Sequence, residues 1–187
     1  MPFSFSNQLS AIIGYAEQQE PLSILDVGVG MGQYGFLLRT IVVNIYIFEI
    51  NGENARLRDK SQWKIKIDGI EGYAGYLTPV HEYAYNHILI GDALELLPTL
   101  ASNSYDLVLA IDILEHFHKE QGVRFLEECR RVAKGSSLVS TPKEFMEQDV
   151  PANPFENHRS VWSDADLKRC GFDMFLPNPL SWIAVAN

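Results

Sequence analysis

Residues 23–38 read SILDVGVGMGQYGFLL, and the reading of this stretch decides the fold. Ser23–Val27 is short, apolar and ended by glycine, the pattern of a buried strand. The segment from Gly32 to Val42, GQYGFLLRTIV, then reads as a helix. Between them lies a turn crowded with glycine. Gly30, Gly32 and Gly35 satisfy G-x-G-x-x-G, a weak signal alone, because such turns also arise for steric reasons. Asp26 is more informative. Dinucleotide folds seat a diphosphate at this helix N-terminus, and a carboxylate there would repel it. The same carboxylate attracts an ammonium or a sulfonium, so the turn suits a ligand that brings an amino acid and positive charge.

Outward from this stretch the chain alternates strands and helices. NQLSAIIGYAEQQ (7–19) reads as an N-terminal helix stopped by Pro21. WKIKIDGIEGY, ILIGDA, YDLVLAIDIL and SSLVSTP read as further strands, and DMFLP and SWIAVAN as the last two. YDLVLAIDIL is almost continuously apolar, as a central parallel strand covered on both faces should be. PVHEYAYNH and ALELLPTL read as short helices. KEQGVRFLEECRRVAK is a longer one, with Val123, Leu126, Cys129 and Val132 at helical spacing and Gly135 at the expected C-cap. Ser163 and Asp166 open a helix as a capping-box-like pair, and Gly171 marks its end. Such alternation implies right-handed crossovers and a parallel sheet with helices on both faces. Ligands in these sheets bind outside the carboxyl ends of the strands. Asp26, Glu71, Asp92 and Asp112 occupy four such ends, followed by Thr141 and Pro142.

The 187 residues are 47% hydrophobic and 21% charged, the composition of one ordinary globular domain. No run approaches a membrane span, and the first 21 residues lack the features of a signal peptide. Cys129 and Cys170 lie far apart without metal-ligand spacing and read as free thiols in a reducing, cytoplasmic setting. A net charge of −9 argues against nucleic acid as partner, since that affinity rests on Lys and Arg. RLRDK (56–60) and RRVAK (130–134) are too short to reverse this and read as solvated surface or helix ends.

The motif order carries a resemblance. Asp-x-Gly-x-Gly-x-Gly after the first strand resembles the first motif of class I S-adenosylmethionine-dependent methyltransferases. IDGIEGY, GDALELL, YDLVLAIDILEHF, VSTP and NPFENHRSVWSDADLKRCGF are similar to the family's later segments, so the likeness covers about residues 23–172. It implies a Rossmann-like, doubly wound, mostly parallel seven-stranded sheet, with S-adenosyl-L-methionine as cofactor. It further implies that Asp26, Gly28 and Gly30 meet the amino-acid end of the ligand, Glu71 the ribose hydroxyls, and Asp92, Ala93 and Leu94 the adenine. Asp112, at the sheet's mouth, would orient a cofactor amine or the substrate. Glu49 competes with Glu71 for the ribose, because it meets the usual spacing of about 20 residues after the glycine turn. The run from Glu71 to Asp92 has the length expected between the second and third strands, and Glu71 is preferred. Residues 41–62 then form an extended helix or an insertion, with IVVNIYIF an extra strand, a buried helix end or an interface.

The acceptor end falls to EHFH (115–118) and the long loop of residues 142–162. His116 follows the fourth strand of the family pattern and is a candidate general base, beside a structural reading as a hydrogen-bonded loop histidine. His116 and His118 do not share a helix face, so no metal site is read there. Long loops at a ligand face are commonly lids, which makes His158 a second candidate base and Arg159 and Trp162 candidate substrate contacts. The leading reading is methyl transfer to a small-molecule acceptor, with a protein acceptor possible. A non-catalytic module of the same fold and a nucleotide-dependent oxidoreductase are the alternatives.

Overall fold

The computed structural model describes residues 4–42 and 48–187. Its centre is a seven-stranded sheet in the order β5-β4-β1-β6-β7-β9-β8. β1 is Ser23–Val27, β4 Lys66–Glu71, β5 His87–Ile90, β6 Tyr105–Ile111 and β7 Ala133–Pro142. These five run parallel. β8, Met174–Leu176, and β9, Ser181–Ala186, complete the sheet antiparallel. The chain moves from β1 outward to β4 and β5, then returns to β6 on the other side. The order therefore reverses between β1 and β6, where Asp26 faces Leu109 in register. A crevice forms at such a switch point because neighbouring crossovers leave it in opposite directions.

Alternation along β1 assigns its side chains to two cores. Ile24 joins the face covered by α1 (Leu9–Gln19), α2 (Gln33–Leu37) and α3 (Pro79–Ala84). Leu25 and Val27 join the face covered by α4 (Ala93–Leu96), α5 (Lys119–Val132) and α6 (Asp164–Arg169). The helices begin where their caps dictate. Thr78 accepts from the Val80 amide ahead of α3, with Pro79 at its first position. Ser163 and Asp166 form the expected reciprocal box on α6. α1 ends on Glu20 in the left-handed region (φ 46), one residue before Pro21.

The expected cap at Gly135 is corrected. α5 stops at Val132, and Ala133 is already extended. Gly135 lies within β7, where a Cβ would come within 2.5 Å of the Asp106 carbonyl oxygen. The pairing of β6 with β7 shifts register there, and only glycine lets the backbones approach so closely. α2 is also shorter than expected and continues through a wider turn over Leu38–Val42. Residues 43–47 of IVVNIYIF lie outside the described residues. Beyond them, β2 (Phe48–Asn51) and β3 (Asn54–Leu57) form an antiparallel hairpin apart from the main sheet.

Candidate functional site

The glycine turn is pinned from below by the sheet and from the side by two other segments. The amides of Gly28 and Val29 donate to Ile70 O at 2.9 and 3.2 Å. Gly28 has φ 80, and a Cβ there would press 2.9 Å from Ile113 Cδ1. The Gly30 amide donates to Glu71 Oε2 (2.9 Å), while His81 Nε2 lies 3.0 Å from the Gly30 carbonyl oxygen and donates to it. Gly35, the third glycine of the formal motif, has a different reason to be there. Its amide donates to Tyr85 Oη at 3.1 Å, and a Cβ on residue 35 would sit 2.1 Å from Tyr85 Cζ.

Tyr85 explains the state of Asp26. Its hydroxyl donates to Asp26 Oδ2 at 2.6 Å, beneath the turn. Asp26 is 2% exposed and lies outside the cavity lining. Burial pushes its carboxyl up to about 6; the Tyr85 bond pulls it down, and the Glu71 charge raises it. Glu71 is buried at the end of β4, with Oε1 accepting from the Tyr73 amide at 2.9 Å. Its pKa is raised, chiefly by burial. Glu49, the rival for its role, sits on the hairpin with Arg56 (2.9 Å), outside the cavity lining. Asp92 follows β5 and caps α4 through the Leu94 amide, at 2.8 Å. Asp112 follows β6 with φ 49, a left-handed conformation that few residues besides glycine, asparagine and aspartate adopt. Gln8 Nε2 (2.5 Å) and Ser140 Oγ (2.8 Å) donate to its two oxygens, and its amide donates to Ser140 O. Burial raises its pKa too.

A cavity of about 610 Å³ opens above these strand ends. Gly28, Gly30, Glu71, Asp92, Ala93, Leu94, Asp112, His116 and Arg159 all line it. The 143–162 loop supplies part of the roof through Asn153, Pro154, Phe155 and Glu156. Arg159 donates to His116 O (2.6 Å) and Pro154 O (2.9 Å), so its guanidinium ties the loop to the turn after β6. His116 is half-buried; burial first, then the neighbouring His158, lowers its pKa to about 4. His158 stands behind it, ring centroids 5.0 Å apart, and its Nδ1 donates to Met146 O at 2.6 Å. It is not part of the lining.

Trp162 departs from its expected place. It is 2% exposed, packs in the core under α5, and donates through Nε1 to Ser160 Oγ. A large aromatic ring opposite Gly122 completes that core instead of facing the cavity. Sequence reasoning missed Tyr85, Gln8 and Asn153, which act over 59, 104 and 77 residues of chain. No local pattern marks such partners. Glu115 was within a motif already singled out; its side chain is buried, accepts from Thr141 Oγ1 at 3.0 Å, and has a pKa well above the usual range through burial and the nearby Asp112.

A seven-stranded sheet reversed at β1 and β6, with acids at successive strand ends above a glycine turn, defines the class I methyltransferase fold. A family model described as a methyltransferase domain matches residues 25–140. The chain belongs to that methyltransferase family. Among solved structures it is similar to a protein of Pyrococcus horikoshii, with a TM-score of 0.63 and 18% identity over 97% of this chain and 87% of that one. It is similar as well to an S-adenosylmethionine-dependent methyltransferase from Archaeoglobus fulgidus (TM-score 0.58, 18% identity), covering 88% of this chain and 66% of that one. A third, from Aquifex aeolicus and of the same description, aligns over 98% and 95% of the two chains (TM-score 0.55, 18% identity). No curated protein matches the chain in sequence.

Proposed function

We propose that the chain binds S-adenosyl-L-methionine in this cavity and passes its methyl group to a small-molecule acceptor. The observation that carries the reading is the ring of acids at the carboxyl edge. Asp26, Glu71 and Asp112 are each raised in pKa by burial. Among the described residues no Lys or Arg forms an ion pair with them or with Asp92. A ligand carrying an ammonium and a sulfonium supplies the missing positive charge. When bound, the cofactor supplies a methyl group already activated by its sulfonium.

The chain's own part is to hold and align. Asp26, under the turn, sets the negative potential felt by the amino-acid end. Each Glu71 oxygen takes one backbone amide and keeps a second lone pair for a ribose hydroxyl. Ala93 and Leu94 offer apolar and backbone contact to the adenine beside Asp92. His116, neutral at physiological pH, also lines the cavity, where it can accept a proton from an acceptor hydroxyl. In-line displacement needs little else beyond proximity and exclusion of water. The loop roofing the cavity favours a small acceptor over a macromolecule.

The test is thermal unfolding in S-adenosylhomocysteine, with NADH and ATP in parallel. Ligand at 100 times its dissociation constant adds about 2.7 kcal/mol, which raises the midpoint of a domain this size by roughly 5–11 °C. A saturable rise with S-adenosylhomocysteine alone supports the reading. No rise, or a rise with NADH alone, overturns it. His116→Ala is expected to keep the rise and lose turnover once an acceptor is found. A chain that binds but turns over nothing is the second reading, favoured by the low basicity of His116.

A further inference from the structure

His116 and His158 are 42 residues apart in sequence, yet their rings meet beside Glu115. One ligating atom from each of Glu115, His116 and His158 lies within 4.8 Å of the other two. We propose that these three residues form a binding site for a divalent transition-metal ion just behind the cavity wall, which it meets through His116.

Three observations support it. First, the donors are those such ions prefer: two imidazoles and a carboxylate suit zinc, manganese or iron, with positions left open for a further ligand. Second, each side chain is already oriented by a bond from its other end. His158 donates Nδ1–H to Met146 O at 2.6 Å, which leaves the Nε2 lone pair outward. His116 Nδ1 faces Asn157 O at 3.4 Å. Glu115 has one oxygen, Oε2, held by Thr141 Oγ1. Partners of this kind fix tautomer and ring orientation in metal sites. Third, the backbone is stitched across the site. Arg159 N and Ser160 N donate to Glu115 O at 2.8 and 3.2 Å, and His158 N donates to Gln148 O at 3.0 Å. The two segments are thus held together by main chain, and only side-chain rotation remains. Ligands about 2.0–2.1 Å from a tetrahedral centre lie roughly 3.3 Å apart, so that rotation must close each gap by 1.5 Å at the outside, on the order of one torsional adjustment.

The site's use, though not its existence, rests on the methyl-transfer reading. An acceptor oxygen bound to the ion loses its proton to water more readily. Its electron pair then forms the O–CH₃ bond as the S–CH₃ bond breaks, and the sulfur leaves as a neutral thioether. His116 would serve as a ligand in that case and not as the base.

Cobalt(II) tests the site without any need for an acceptor. The full chain, freed of metal by chelation, is titrated with Co²⁺ while its visible absorption is followed, and with Zn²⁺ by calorimetry. One ion per chain, with the intense bands of four- or five-coordinate cobalt and a Zn²⁺ affinity lowered at least 100-fold by His158→Ala, is the expected result. S-adenosylhomocysteine binding measured on the same His158→Ala sample reports whether the cavity is intact. Absence of a cobalt spectrum in the wild-type chain, or equal Zn²⁺ affinity in a His158→Ala chain that still binds S-adenosylhomocysteine, overturns the site. Should His158→Ala lose its fold, Glu115→Gln replaces it, with the same two readouts. A cobalt spectrum in a chain that never binds S-adenosylhomocysteine would leave the metal site standing and remove the methyl-transfer reading.

Discussion

Asp26 is held at odds with its surroundings. Its carboxyl is pushed up to about 6 in the fold against an ordinary value of 3.8. Between those two pH values the folded chain keeps a proton that the unfolded chain has released. Stability from this group is therefore complete below about pH 3.8, declines as pH rises through the window, and levels off above about 6. The cost at neutral pH is about 3 kcal/mol at most, from 1.36 kcal/mol per unit. Asp26→Asn keeps an acceptor for the Tyr85 hydroxyl and removes the ionisation. It is expected to raise the melting temperature at pH 8, to raise it by about half as much at pH 5, and to weaken binding of S-adenosylhomocysteine. Melting curves at the two pH values, with and without ligand, check all three. Of the residues around it, the acids were legible in the sequence because each ends an apolar strand. Tyr85 was not, because its reason for being tyrosine is a carboxylate 59 residues away.

Elements show the same division between local and distant causes. Two helical glycines separate them experimentally. Gly14 in α1 has open space where a Cβ would go, so Gly14→Ala should gain about 0.5–1 kcal/mol from reduced backbone freedom. Gly122 in α5 has Trp162 Cζ2 only 2.3 Å from that point, so Gly122→Ala should lose about 1–3 kcal/mol to overpacking despite better helix propensity. Denaturant midpoints of the two variants should move in opposite directions. Strands of the sheet were readable because burial on both faces makes them continuous apolar runs bounded by glycine or acid. The β2–β3 hairpin was not anticipated, although Gly52, with φ 65, opens its two-residue loop and such loops favour glycine there. The apolar run before it dominated the reading, while the hairpin itself exposes Ile50 by 79%.

At the scale of the molecule, stability and ligand chemistry occupy opposite edges of one sheet. At the amino end, Asp106 Oδ2 accepts from Leu22 N, Ser23 N and Ser23 Oγ, each at 3.0 Å, and joins β6 to the start of β1. Asp106→Ala should lower stability by about 1–2 kcal/mol and leave the dissociation constant of S-adenosylhomocysteine unchanged for the folded fraction. Calorimetric titration below the melting range checks the second half, and a changed constant would show that the two edges are coupled. The general fold followed from alternation and motif order. Of the four residues the sequence offered for the acceptor, His116 and Arg159 line the cavity and His158 and Trp162 do not, because two loops that meet only once the sheet has formed decide which side chains face inward.

Ser4 lies in the cavity wall, and Gln8, four residues later, holds Asp112 in its left-handed backbone. The short stretch from Ser4 to Gln8 is therefore part of the site as well as of the fold. The opposite terminus runs out along β9, paired on both sides by β7 and β8. For anyone preparing this chain, an affinity tag at the back is luggage carried at the far edge of the sheet, where Ala186 pairs with Ser137.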